Sequence, residues 1–177
     1  MNAPVTMMDP VEQRAADGDP AAFGELLRRH DHHARAVVWS VVRDRAALDD
    51  VLQSAYEKAF RSIDSFRGDA AFSTWLHSIC HRTAIDHVRR ERIRRHDDID
   101  DLRGTASSSS TSGAALARVE LAAALERLDP DTRSMLIMTT ALDMSYDEVA
   151  EITGTPRGTV ASRVGRARAA LRQEFER

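Results

Sequence analysis

Arginines dominate the side chains of this sequence that could do chemistry. The stretch SYDEVAEITGTPRGTVASRVGRARAALR (145–172) carries five of them, Arg157, Arg163, Arg166, Arg168 and Arg172. A guanidinium can meet the O6 and N7 of guanine with two parallel hydrogen bonds. Within the stretch Val160, Val164, Ala167 and Leu171 recur at i, i+4, i+7 and i+11, a spacing that predicts a helix with one narrow buried stripe. Thr159, Ser162, Gly165, Arg166, Ala169 and Arg172 fall opposite it. A helix with a packed back and a small, polar, arginine-bearing front fits a DNA major groove. The competing reading is an ordinary amphipathic helical hairpin, because arginine supplies 24 of the 25 basic residues and is cheap in this chain.

Histidines are the other candidates. His30, Asp31, His32 and His33 are adjacent, and His77 and His81 are four apart with Cys80 between them. Neighbouring residues on a helix point apart, and a lone i, i+4 pair lacks the further ligands zinc needs. The first group therefore reads as a solvated polar face and the second offers no matching ligand pair, so no metal site, no cofactor and no catalytic constellation are expected.

The elements that must position the arginines are legible from their ends. Ser145 with Glu148 makes a capping box at the start of one helix. Gly154 ends that helix, since glycine enters the left-handed region cheaply. Thr155 then caps the arginine-bearing helix, with Pro156 in its first turn. Met135, Leu136, Met138 and Leu142 supply apolar support beneath, and Leu121, Leu125 and Leu128 align on a preceding helix. Earlier, Asp9-Pro10 and Asp19-Pro20 predict two helix starts, over about 10–17 and 20–42. A third helix over about 44–63 buries Leu48, Val51, Leu52, Ala55 and Ala59. Its opposite face shows Asp49, Asp50, Gln53, Glu57 and Phe60, which reads equally as a solvated face or as a partner surface. In a fourth helix, starting near Asp69, Phe72, Leu76, Ile79 and Thr83 form one stripe with Trp75 on its flank. Arg89, Arg90, Arg92, Arg94 and Arg95 follow. Aromatics leading into a basic helix suit nucleic acid whose bases unstack onto side chains; a core cluster with a solvated helix end is the alternative. Ile85 and Val88 fall off the stripe, with no partner visible in the sequence.

Composition bounds the class. With 42% hydrophobic and 30% charged residues the 177-residue chain is globular. No apolar run reaches membrane-spanning length, so no membrane insertion is expected. The N-terminal sequence has no signal-peptide core, and the single Cys80 cannot form an internal disulfide; both fit a cytoplasmic protein. The net charge of −3 hides segregation: residues 156–177 carry six arginines and two glutamates, whereas 104–155 carry three arginines and eight acids. His96–Gly113 is acid-rich and then serine-rich, which predicts a flexible linker. The expected architecture is all-α: two small helical domains, 9–95 and 114–177, joined by a linker at 96–113.

Three runs in the first domain, DPAAFGELLRRH, DRAALDDVLQSAYEKAF and SFRGDAAFSTWLHSICHRTAIDHVRR, together with the helix-turn-helix of the second, resemble the extracytoplasmic-function (ECF) sigma factors of bacteria. The resemblance covers nearly all of 19–174 outside the linker. It implies a sigma region 2-like bundle and a region 4-like helix-turn-helix. It also implies a transcription-initiation role with no enzymatic activity of the chain's own. The partners implied are core RNA polymerase, through its clamp helices and flap, promoter DNA, and a cognate anti-sigma factor. On this basis Asp49, Asp50, Gln53 and Phe60 dock on polymerase. Phe66, Trp75, Arg82, Asp86, Arg89 and Arg90 serve the −10 element, where a base is flipped into a pocket. Arg157, Thr159, Ser162, Arg163 and Arg166 serve the −35 element. The linker acids Asp97, Asp98, Asp100 and Asp101 either mimic RNA charge in the polymerase or merely solvate a tether. Two positions depart from the family pattern: Arg82 stands where many relatives have asparagine, and Ala161 where many have a basic residue. For Arg163, a structural ion pair and a DNA contact both remain open. A conventional helix-turn-helix regulator is the alternative function; it needs a sensory domain, for which 1–95 offers no strands.

Overall fold

The computed structural model describes residues 8–97 and 113–175, and every regular element among them is helical. The expected linker acids Asp98, Asp100 and Asp101 lie outside the described residues. The first domain comprises α1 (Pro10–Ala16), α2 (Pro20–Val42), α3 (Arg45–Arg61), a 3-10 turn at Ile63–Ser65 and α4 (Phe72–Asp97). The second comprises α5 (Gly113–Glu126), α6 (Pro130–Thr140), α7 (Tyr146–Thr153) and α8 (Arg157–Phe175).

Aspartates start the helices because their carboxylates accept from amides that have no partner in the first turn. Asp9 accepts from Val11, Asp19 from Ala21 and Ala22, Asp44 from Ala46, and Asp129 from Thr132. The Asp19 carboxyl sits below its ordinary pKa chiefly because of the Ala22 amide. Helix α4 begins at Phe72, three residues beyond the expected Asp69. The loop before it turns at Gly68 (φ 74°), where a Cβ would fall 2.7 Å from Met8 Cγ. The left-handed φ favours glycine there, and any side chain would also have to displace Met8.

Within the first domain, α2, α3 and α4 pack on one another and α1 covers α2. The core holds Leu26, Val37, Val38, Val41, Leu52, Ala55, Phe72 and Leu76, all buried. Cys80 lies in it, and burial pushes its thiol up to about 12, so it is an inert core residue. In the second domain Met135, Met138, Val149, Ile152, Val160 and Val164 form the core beneath α8.

The two domains pack against each other, α2 on α6 and α4 on α7. Arg43 closes α2 in the left-handed conformation (φ 55°), its guanidinium 5.2 Å from the Trp39 ring centre. The buried Arg133 of α6 reaches the carbonyls left open at this helix end. Its Nε donates to the Ser40 oxygen at 3.1 Å and its Nη2 to the Val41 oxygen at 2.5 Å. A cation at a helix C-terminus is favoured by the helix dipole as well as by the hydrogen bonds. Ile85 and Val88 find their partner here too. With Ile93, Arg89 and Arg92 they line a cleft of about 590 Å³ closed by Pro130 and Asp131 of the second domain.

Candidate nucleic-acid interface

Helices α7 and α8 form the expected helix-turn-helix. The capping box is complete: the Glu148 amide donates to Ser145 Oγ at 3.2 Å, and the Ser145 amide to Glu148 Oε2 at 2.8 Å. The Ser145 amide and hydroxyl, both donating to Glu148 Oε2, hold the Glu148 carboxyl below its ordinary pKa. Gly154 takes φ 63° and ends α7. Helix α8 starts at Arg157, one residue later than expected. The cap position falls to Pro156, whose carbonyl accepts from Thr159 and Val160 at 2.8 and 3.0 Å, so Thr155 belongs to the turn. Val160, Val164 and Ala167 are buried against α6 and α7, with Leu171 half-buried.

The front of α8 is open. Ser162 and Arg166 are exposed and Thr159 is half-buried. Arg157 is exposed and pairs with Asp147 of α7 at 3.0 Å, which aims it along the junction of the two helices. Arg163 is half-buried on the flank, and its charge helps to keep the Asp129 carboxyl low, behind the hydrogen bonds from Thr132. Gly165 lies in open space, so the helix front has no bulk there to keep another surface away.

A second basic surface runs along α4. Arg82, Arg89 and Arg90 are exposed and Asp86 is half-buried, with Arg90 Nε donating to the Asp86 carbonyl at 3.1 Å. Trp75 is half-buried, its ring 5.5 Å from those of Phe66 and Phe72. Phe66, expected among the base-reading residues, is only 5% exposed and stacks edge-on against Phe72 at 5.4 Å. It is a wall behind Trp75 in this arrangement, not a surface group. Its position at the end of a 3-10 turn, off the stripe of α4, left its burial invisible to helical periodicity.

On the outer face of α3, Asp49, Asp50 and Gln53 are exposed. Phe60 is 46% exposed and rests against Phe23 with ring centres 5.2 Å apart. Arg35 Nη1 binds Asp49 Oδ1 at 2.5 Å, and a shallow cleft of about 440 Å³ runs between Arg35, Gln53, Tyr56 and Phe60. Tyr56 donates to Asp31 Oδ1 at 2.8 Å, and burial with this bond raises its pKa. A half-exposed aromatic ring flanked by ordered acids is a surface suited to a protein partner.

Among the described residues no group of three or more His, Cys, Asp or Glu side chains is placed to hold a metal ion. His32 and His33 are exposed on α2, whereas His77 and His81 are buried on α4. Helical spacing gave no sign of this burial, since the second domain supplies the cover.

Two helical bodies, one presenting an arginine-bearing helix-turn-helix and the other an aromatic and basic helix, define an all-α protein of the kind suited to nucleic acid. Residues 26–94 match the family Sigma-70 region 2, and residues 118–171 match Sigma-70, region 4. The chain is 36% identical to the RNA polymerase sigma factor NccH of Alcaligenes xylosoxydans xylosoxydans over 90% of its own length and 89% of that protein. It is 33% identical, with the same coverage, to the ECF RNA polymerase sigma-E factor of Escherichia coli K12. Among solved structures it is similar to CnrH in complex with the cytosolic domain of CnrY, with a TM-score of 0.70 and 27% identity over 94% of this chain and 95% of that one. It is also similar to the sigma factor RpoE of Bartonella quintana in complex with the anti-sigma factor NepR, with a TM-score of 0.72 and 25% identity over 87% and 96%. The chain belongs to the ECF sigma factors.

Proposed function

We propose that this chain is an alternative sigma factor that binds core RNA polymerase and directs it to promoters by recognising a −35 and a −10 element. One observation carries the reading: three surfaces of different character are open at once, on three different helices. The front of α8 offers Arg157, Thr159, Ser162 and Arg166 to duplex DNA. The α4 surface offers Trp75, Arg82, Asp86, Arg89 and Arg90 to unstacked bases. The α3 face offers Asp49, Asp50, Gln53 and Phe60 to polymerase. Arg163 sits between a structural and a DNA-contacting role and is assigned to the −35 set through its place in the motif. The nucleotidyl chemistry belongs to polymerase.

Of the structural relatives, CnrH was solved in complex with the cytosolic domain of CnrY, and RpoE with the anti-sigma factor NepR. That supports a cognate anti-sigma factor for this chain as well. No helix among the described residues is long and apolar enough to cross a membrane.

Run-off transcription with core polymerase on a genomic fragment library tests the function. The chain added to core should yield discrete transcripts from a small set of fragments. The variant Asp50→Ala with Phe60→Ala should yield none while keeping its helical circular dichroism. Transcripts identical with and without the chain would sink the proposal.

A further inference from the structure

The interface between the domains buries two imidazoles that have no hydrogen-bond partner at Nε2. His77 and His81, each 4% exposed, project from α4 toward the second domain. His77 faces a small cavity of about 260 Å³ lined by His30 and His33 of α2 and by Leu142, Asp143, Met144, Glu148 and Ile152 of the second domain. The His33 and His77 ring centres are 6.2 Å apart. One turn on, His81 Nε2 lies 3.8 Å from Asp131 Oδ1, at the start of α6. A buried polar atom with no partner weakens an interface even when neutral, and far more when its ring is charged.

This packed arrangement cannot be the one that reads a promoter. Elements named −35 and −10 lie about 25 base pairs apart, or about 85 Å along a duplex at roughly 3.4 Å per pair. A compact 177-residue chain has a radius of gyration of about 16 Å and a diameter of about 40 Å. The heads must separate to reach both elements.

We infer that the packed form is a closed resting state of the free factor, and that protonation of His77 and His81 at the domain interface opens it. Burial is the largest influence on His77 and holds its pKa at about 4, with His30 and His33 pushing the same way and Glu148 opposing. Burial likewise lowers His81, with Asp131 opposing and Arg82 of its own helix reinforcing. Once the domains part, water reaches both rings and they return toward the ordinary value of about 6.5. The open form therefore binds more protons between about pH 6.5 and 4. The closed form is fully favoured above that window and loses ground as pH falls through it. At pH 5, His77 alone shifts the open-to-closed ratio by roughly thirtyfold. The Glu148 and Asp131 carboxylates offset part of this by favouring the charged rings; neither accepts a hydrogen bond from the orphaned nitrogens in the closed form.

The purpose of opening rests on the two-headed promoter reading, but the opening itself is measured without DNA or polymerase, so the two can fail separately. Small-angle scattering and far-ultraviolet circular dichroism of the full chain from pH 8 to 5 test it. The radius of gyration should rise by about a quarter or more as two tethered bodies replace one, while helicity is retained. The variant His77→Gln with His81→Gln should remain at its pH 8 dimensions throughout. An unchanged radius in the wild-type chain, expansion accompanied by loss of helix, or expansion of the double variant over the same interval would each overturn the inference. Should the variant lose helix at pH 8, the imidazole resonances of the wild-type chain decide: His77 must titrate across the same interval as the expansion, and expansion complete before it titrates also overturns the inference.

Discussion

Arg133 Nη2 donates to the Val41 carbonyl across 92 positions of sequence at 2.5 Å. The bond joins the first helix of the second domain's core to the end of the longest helix described before α4. No carboxylate takes this guanidinium among the described ion pairs, and burial is the main cause of its lowered pKa. Its hydration is replaced by helix-end carbonyls.

Replacing it should loosen both domains at once. Arg133→Ala is expected to lose about 1.5–3 kcal/mol, the usual worth of hydrogen bonds to a charged group. Urea unfolding followed by circular dichroism checks this. The wild-type chain should unfold in one transition, and the variant earlier, with the two domains parting company.

Phe66 should behave as a core residue. Its ring is enclosed by Phe72 and Trp75, so Phe66→Ala should cost about 3–5 kcal/mol of stability. Trp75→Ala, at a half-buried position, should cost less stability and more promoter opening. Denaturation curves and permanganate footprinting of the two variants, side by side, separate wall from reader. Equal stability losses would put Trp75 in the interior as well.

Much of this architecture is legible in the sequence wherever its cause is local. Asp-Pro pairs start helices, Ser145 and Glu148 close a capping box, and Gly154 takes the turn, because each acts on a backbone within four residues of itself. Residues whose partners lie far along the chain are not legible in this way. Ile85 and Val88 look purposeless on a helical wheel, since Pro130 and Asp131 meet them only after the domains pack. Arg133 resembles any other surface arginine until Ser40 and Val41 appear beside it. His77 and His81 are buried partly by residues of the second domain, Glu148 and Asp131 among them.

Arg166 is exposed on the open front of α8. Arg166→Ala should weaken binding by roughly 1–3 kcal/mol at promoters with the preferred −35 base, and much less at mismatched ones. Competition binding of the holoenzyme to matched and substituted promoters measures it. Equal loss on all sequences would make Arg166 a phosphate contact.

Arg82 is exposed on α4, one turn before Asp86. Arg82→Asn should change the preferred −10 base and leave core binding intact. Promoter selection from a randomised −10 library reads this directly; identical selections by variant and parent would remove Arg82 from base choice.

Promoter recognition should belong to the complex with core polymerase and not to the free chain. Phosphate neutralisation drives DNA affinity, yet the basic residues 156–177 stand on a segment, 104–155, with three arginines against eight acids. The two heads are also packed too close together to span a promoter. Gel-shift titration at physiological salt, with and without core polymerase, is the most direct measurement. Weak, sequence-indifferent binding by the chain alone and tight, promoter-specific binding with core are the expected results. Tight and specific binding by the chain without polymerase would contradict them and restore the conventional helix-turn-helix regulator.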